Sequence, residues 1–179
     1  MKERHFSIVI TGPESSGKTT LACQLAKALS EPWTPEFARY YLEWLGRSYK
    51  KEDLSTIGKG QKSWENWYGA RAVQFAIRDT DWTVLKVWEQ FRFGTDMFWR
   101  KGYGAPAAAD LYLLCSPDLP WQPDPLREHP NHREELFEMY RTLLSETNAR
   151  FEIIDGKESA RLAQAIAAIE KLSRPLRGS

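Results

Sequence analysis

The residues best suited to chemistry lie within the first twenty positions. Gly12-Pro13-Glu14-Ser15-Ser16-Gly17-Lys18-Thr19 has the form G-x-x-x-x-G-K-[ST], set between the apolar run Phe6–Ile10 and an amphipathic stretch that begins at Lys18. Glycines at both ends admit backbone conformations that a Cβ forbids, so successive N–H groups can converge on one anion. The following helix adds the positive end of its dipole. Lys18 then reaches the β- and γ-phosphates, and the Thr19 hydroxyl is placed for Mg²⁺. Gly12, Glu14, Ser15, Ser16, Gly17, Lys18, Thr19 and Thr20 are thus expected to cradle ATP with its Mg²⁺. The chain has no Asn-Lys-x-Asp guanine reader and no Leu-Ser-Gly-Gly signature, and 179 residues can hardly hold the helical bundle of a hexameric remodelling ATPase. A small kinase remains, which needs an acceptor pocket with carboxylates and a lid carrying arginine.

Candidates for both are present. Asp79 ends an apolar run in Asp79-Thr80-Asp81. Ligands gather beyond the carboxyl ends of parallel strands, so Asp79 is expected to organise Mg²⁺ together with Thr19. Asp81 is expected to face the same site, and it also suits the cap of the helix starting at Trp82, the two roles being compatible. Glu36, in Trp33-Thr34-Pro35-Glu36-Phe37-Ala38-Arg39, ends a second strand. It is expected to act on the acceptor hydroxyl as base or orienter, the plain alternative being a first-turn acid that complements a helix dipole. A proline-rich crossing at about 117–134 supplies the mobile lid, with Arg127 and Arg133 as its cations. A planar, permanently charged fork suits the transferred phosphoryl group, and Arg127, among the prolines, is the preferred catalytic arginine. His129-Pro130-Asn131-His132 lacks further ligands and reads as a surface loop.

The elements that position these residues alternate. Strands are expected at Phe6–Ile10, Trp33–Phe37, Val73–Ile77, Leu111–Cys115 and Phe151–Ile154. Helices are expected at about Lys18–Leu29, Ala38–Leu45, Lys51–Tyr68, Trp82–Arg100, His132–Glu146 and Ser159–Leu172, with Gly46, Gly69, Gly102 and Gly104 as stops. That order implies one α/β domain over 1–179 with a doubly wound five-stranded parallel sheet of the P-loop NTPase fold. Twenty-five basic against 24 acidic residues leave a net charge of +1, so no bulk field draws the chain to nucleic acid or membrane. No apolar run approaches a membrane span, and a cytoplasmic protein is expected. Cys23 and Cys115 read as reduced core thiols. The eight tryptophans and the 13% aromatic content serve the core first, and could also stack a flat or cationic ligand; they permit a homodimer without requiring one.

Taken together, these residues resemble the ribosylnicotinamide kinase domain of NadR-type NAD-biosynthesis proteins. The matching features are Gly12-x-Glu14-Ser15-Ser16-Gly17-Lys18-Thr19, Trp33, Glu36-Phe37-Ala38-Arg39, Gln61, Asp79-Thr80-Asp81, Trp121-x-x-Asp124-x-Leu126-Arg127 and Phe151-x-Ile153. They run from about Ser7 to Leu172. The resemblance implies ATP- and Mg²⁺-dependent phosphorylation of the 5′-hydroxyl of nicotinamide riboside to nicotinamide mononucleotide. Trp33, Glu36, Arg39, Gln61 and Asp81 would then face the substrate, because a pyridinium cation favours an aromatic face and nearby carboxylates. The chain departs from the family at Asp124-Pro125, where Asp-Gly is common, and at Arg78, in place of an apolar strand residue. The adenylyltransferase signature His-x-Gly-His is absent, and with about six residues before the first strand no such domain is expected ahead of it. Two other readings stay open: a kinase for another nucleoside or nucleoside monophosphate, and a regulatory ATP-binding module with slight turnover.

Overall fold

The computed structural model describes residues 5–96 and 109–173. Five strands, β1 (Phe6–Thr11), β2 (Trp33–Thr34), β3 (Phe75–Asp79), β4 (Leu111–Cys115) and β5 (Phe151–Ile154), form one sheet in the order β2-β3-β1-β4-β5. Every pairing is parallel, so the doubly wound sheet expected from the alternating pattern is present. Among the described residues six helices flank it: α1 (Lys18–Leu29), α2 (Phe37–Leu45), α3 (Lys51–Gly69), α4 (Trp82–Phe93), α5 (Arg133–Glu146) and α6 (Glu158–Ser173).

Alternation along the central strands sorts side chains between two layers. Ile8 and Ile10 of β1 and Leu111, Leu113 and Cys115 of β4 face α1 and α6, where Leu21, Leu25, Ala165 and Ile169 complete a core. Val9, Tyr112 and Leu114 face the opposite way, against Val84 and Val87 of α4 and Leu136, Tyr140 and Leu144 of α5. A third cluster under α2 and α3 joins Ala38, Leu54, Ile57, Trp82 and Leu85. Among the described residues no helix is long and apolar enough to cross a membrane.

Several boundaries differ from expectation, each for a physical reason. Strand β3 starts at Phe75 instead of Val73. The Glu31 carboxylate accepts from the amides of Val73 (2.9 Å), Gln74 (2.6 Å) and Phe75 (3.0 Å), so the first two are tied to a side chain before the ladder begins. Strand β2 is only two residues long, and α2 takes over at Phe37. Helix α4 ends at Phe93, where Gly94 adopts a left-handed conformation (φ 62°). The expected continuation fails at residues 94–96, which are not helical, and the rest of it to Arg100, with Gly102 and Gly104, lies outside the described residues. Cys115 is buried as expected, but Cys23 is exposed on α1 and is no core thiol.

Candidate active site

The loop between β1 and α1 is held open by unusual backbone. Gly12 has φ 136°, and a Cβ there would lie 2.7 Å from the Cys115 carbonyl oxygen. Gly17 caps α1 at φ 80°, and Ser15 between them sits at φ 55°. The Ser16 hydroxyl and the Lys18 ammonium both donate to the Pro13 carbonyl oxygen at 2.8 Å. The fold therefore builds the concavity itself, with β1 and β4 behind it and α1 directed into it.

Across this loop lies the end of β3. Thr80, at φ 69°, turns the chain so that its two acidic neighbours part company. Asp79 points to the phosphate loop, where its Oδ2 accepts from the Thr19 hydroxyl at 2.5 Å. It is 1% exposed, and its Oδ1 has no hydrogen-bond partner. A buried carboxylate oxygen left free beside a threonine hydroxyl is the donor set a hard divalent cation takes, so these residues fit Mg²⁺. Among the described residues no group of three or more His, Cys, Asp or Glu could hold a metal.

Asp81 points elsewhere. Its Oδ1 accepts from the Thr83 amide (2.9 Å) and hydroxyl (2.6 Å), and its Oδ2 from the Tyr112 hydroxyl (2.9 Å). It is buried as the cap of α4 and does not line the crevice, so of its two expected roles the cap is the one the geometry builds. Trp33 also departs from expectation, since it packs against the core on the α1 side of the sheet. Gln61 is buried on α3, where its Oε1 accepts from the Phe37 amide at 2.9 Å. Neither lines the crevice.

Glu36 does line it, together with Lys18, Thr19, Thr20 and Arg39, in a cavity of about 330 Å³. Burial, then the neighbouring Asp79, pushes the Glu36 carboxyl up to about 7 against the pull of Lys18 and Arg39. Burial also raises Asp79, opposed by Lys18 and by the Thr19 hydrogen bond. One aromatic wall is Trp88 of α4, which borders this cavity and an adjoining one of about 490 Å³. Leu42, Arg39, Leu126 and His129 are common to both. Nothing in the local pattern singles out Trp88 from seven other tryptophans, and it was not legible in the sequence.

The proline-rich segment lies over the phosphate loop. The Gln122 amide donates to Ser15 Oγ at 2.9 Å, and the amides of Glu128 and His129 donate to Glu14 Oε2 at 3.0 and 3.1 Å. Arg127 reaches Ser15 Oγ at 3.5 Å and the Gln122 carbonyl, and Arg133 donates to the Leu119 carbonyl at 2.8 Å. Both guanidinium groups flank the Trp121 ring. Arg39, expected to face substrate, donates to Asp124 of this segment at 2.7 Å while still lining the crevice. Arg161 was not anticipated. From α6, and 2% exposed, it donates to the carbonyls of Ser16 (2.7 Å), Gly156 (2.7 Å) and Ser116 (3.1 Å) and pairs with Asp118.

Comparison with known proteins agrees with this arrangement. Residues 7–161 match a family model described as an AAA domain (AAA_28). No curated protein matches the chain. A structure of NadR protein in complex with NR superposes with a TM-score of 0.78 at 22% identity, covering 94% of this chain and 50% of that one. NadR with NAD and AMP-PNP gives 0.76 at 23% identity, covering 94% and 49%. Thymidylate kinase from Ehrlichia chaffeensis gives 0.69 at 12% identity, covering 92% and 98%. The chain spans about half the length of the NadR structures it matches. At these identities the likeness is one of fold: an α/β P-loop NTPase.

Proposed function

The chain belongs to the AAA domain family AAA_28, and from that premise we propose that it is an ATP-dependent nucleoside kinase whose acceptor is nicotinamide riboside. The observation that carries this reading is the wall that the two cavities share, formed by Glu14, Arg39, Leu42, Trp88, Leu126 and His129. Beside the cavity that holds the phosphate loop and Glu36 lies a second space walled by Trp88, Tyr49 and Leu42, of a size suited to a nucleoside. A module that only senses ATP needs no such space. The resemblance to NadR, in motifs and in fold, supports the same acceptor class.

In this reading the acceptor 5′-oxygen attacks the γ-phosphorus, the bond to the β–γ bridging oxygen breaks, and ADP leaves. Glu36 accepts the hydroxyl proton, for which a carboxyl raised to about 7 is well matched at neutral pH. Lys18 exchanges its Pro13 carbonyl for phosphate oxygens, and Arg127 faces the charge that spreads over the transferred group. Thr19 and Asp79 would hold Mg²⁺, which supplies neutralisation of the β- and γ-phosphates. Trp88 borders the outer cavity and offers a face on which a cationic base would stack, among acidic and basic side chains that include Glu14, Asp124, Arg39 and Arg47. A cytoplasmic location belongs to the same proposal.

A nucleoside panel with ATP and Mg²⁺, read by ADP release and product mass, tests it. Nicotinamide riboside is expected to be phosphorylated faster than uridine, thymidine or deoxyadenosine. Equal rates with a neutral nucleoside replace the acceptor assignment. No turnover with any nucleoside overturns the kinase reading.

A further inference from the structure

Glu36 occupies the N-cap position of α2, yet its side chain makes no capping hydrogen bond. A carboxylate at a helix N-terminus ordinarily turns back onto the first free amides, where orphan N–H groups and the helix dipole both attract it. The first amide of the helix, Phe37 N–H, is instead held from outside the helix. The donor–acceptor distance to Gln61 Oε1 is 2.9 Å, and Gln61 is only 3% exposed on the neighbouring helix α3. The same turn is gripped from a second direction. A Cβ on Gly60 would lie 2.2 Å from Cε1 of Phe37, so the ring lies directly on the α3 backbone, and Trp64 meets it edge-on at 5.0 Å. Helix α3 thus fixes both the amide and the side chain of the residue that follows Glu36.

We propose that Gly60 and Gln61 are positioning residues for Glu36: Gln61 anchors the amide and Gly60 admits the ring of the residue that follows it, so the turn carrying the Glu36 carboxylate is held at the crevice. Gln61 is then no substrate contact. Its loss frees the Phe37 amide, and the turn that presents Glu36 to the crevice loosens. The inference rests on the kinase reading above, in which Glu36 serves the acceptor.

The test uses Gln61→Met, which keeps the length and loses the acceptor oxygen, and Gln61→Glu, which keeps an oxygen facing the amide. Each is made alone and with Glu36→Gln, and assayed with ATP and the best acceptor of the nucleoside panel. For Gln61→Met, turnover is expected to fall about tenfold while ATP dissociation changes less than about twofold. Gln61→Glu recovers part of the loss. In the Glu36→Gln background Gln61→Met has no further effect, because the residue through which it acts is gone. Gly60→Ala gives the same pattern and stands in if Gln61→Met does not fold. A loss that persists in full in the Glu36→Gln background, an equal loss of ATP binding, or unchanged turnover overturns the inference. If Glu36→Gln itself leaves turnover intact, the reading of Glu36 fails first and the inference falls with it.

Discussion

Arg39 Nη2 lies 2.7 Å from Asp124 Oδ2, so the helix that begins at Glu36 is tied to the segment that covers the phosphate loop. Two parts of the site, acceptor side and nucleotide side, share one ion pair. Arg39 is part-exposed, so the pair contributes modestly to stability. Its effect should instead fall on closure, which excludes water from the transferring phosphoryl group. Asp124→Asn and Arg39→Gln are each expected to lower turnover about threefold to tenfold and to raise the ratio of ATP hydrolysed to acceptor phosphorylated. The double variant should be little worse than either single one. Stopped assays of ADP and phosphorylated acceptor, run together, check this.

The free Oδ1 of Asp79 leads to a metal-specific expectation. Asp79→Asn should cut turnover by about a hundredfold or more and require several times more Mg²⁺ for half-maximal rate. Thermal stability without nucleotide should hold or rise, because burial opposes the charge that the substitution removes. Chelation with EDTA should stop the wild type without lowering its melting temperature. A melting temperature that falls with EDTA would assign the metal a structural role.

The raised Glu36 carboxyl makes activity and stability move in opposite directions with pH. Its folded value of about 7 stands above an ordinary 4.5, so between these values the folded state binds more protons than the unfolded state. Stability contributed by this group is therefore present below about pH 4.5 and declines as pH rises to about 7. The rate should do the reverse, climbing through pH 7 as the base ionises. In Glu36→Gln the climb should vanish, and at pH 8 the variant should be more stable by about 1 kcal/mol after allowance for partial solvent screening. Calorimetry and pH–rate profiles on the same two proteins measure both.

Trp88 should control which nucleoside is preferred. A cation over a desolvated aromatic face gains about 1–2 kcal/mol, equivalent to roughly five- to thirtyfold in affinity. Trp88→Leu is expected to lower kcat/KM for nicotinamide riboside by about that factor relative to uridine, with ATP binding nearly unchanged. Trp33→Leu should leave the ratio intact, because that ring packs in the core. Steady-state kinetics with both nucleosides separates the two tryptophans.

What could be read from the residues follows from how local each signal is. The phosphate loop, β1, β4 and β5 are written in contiguous stretches, and strand ends in a parallel sheet point one way, so Glu36 and Asp79 fall where their positions imply. Capping is nearly as local, and Asp81 before Trp82 carried that alternative openly. The errors concern which face a residue presents. Trp33 sits one residue before Thr34 on a two-residue strand, and its neighbours cannot say whether the ring enters the crevice or the core. Gln61 is separated from its partner Phe37 by a whole helical turnaround, so only the packing of α3 on α2 reveals its task. Strand β3 begins late because of a carboxylate more than forty residues away, and no periodicity within the strand records that.

Arg161 gives the nucleotide site a history as well as a shape. The loop that would grip phosphate is complete by Thr19, but the guanidinium that ties its Ser16 carbonyl to the ends of β4 and β5 comes from the last helix. Strand β1 is likewise central in the sheet and finds its neighbours β3 and β4 only later in the chain. A ribosome-bound chain that has emerged only as far as α1 thus carries a full motif with no neighbouring strand to support it. Competence to hold ATP should appear late in synthesis and abruptly, once α6 has emerged, and nascent chains ending before Arg161 should be read by the cell as unfinished protein and not as weak enzymes.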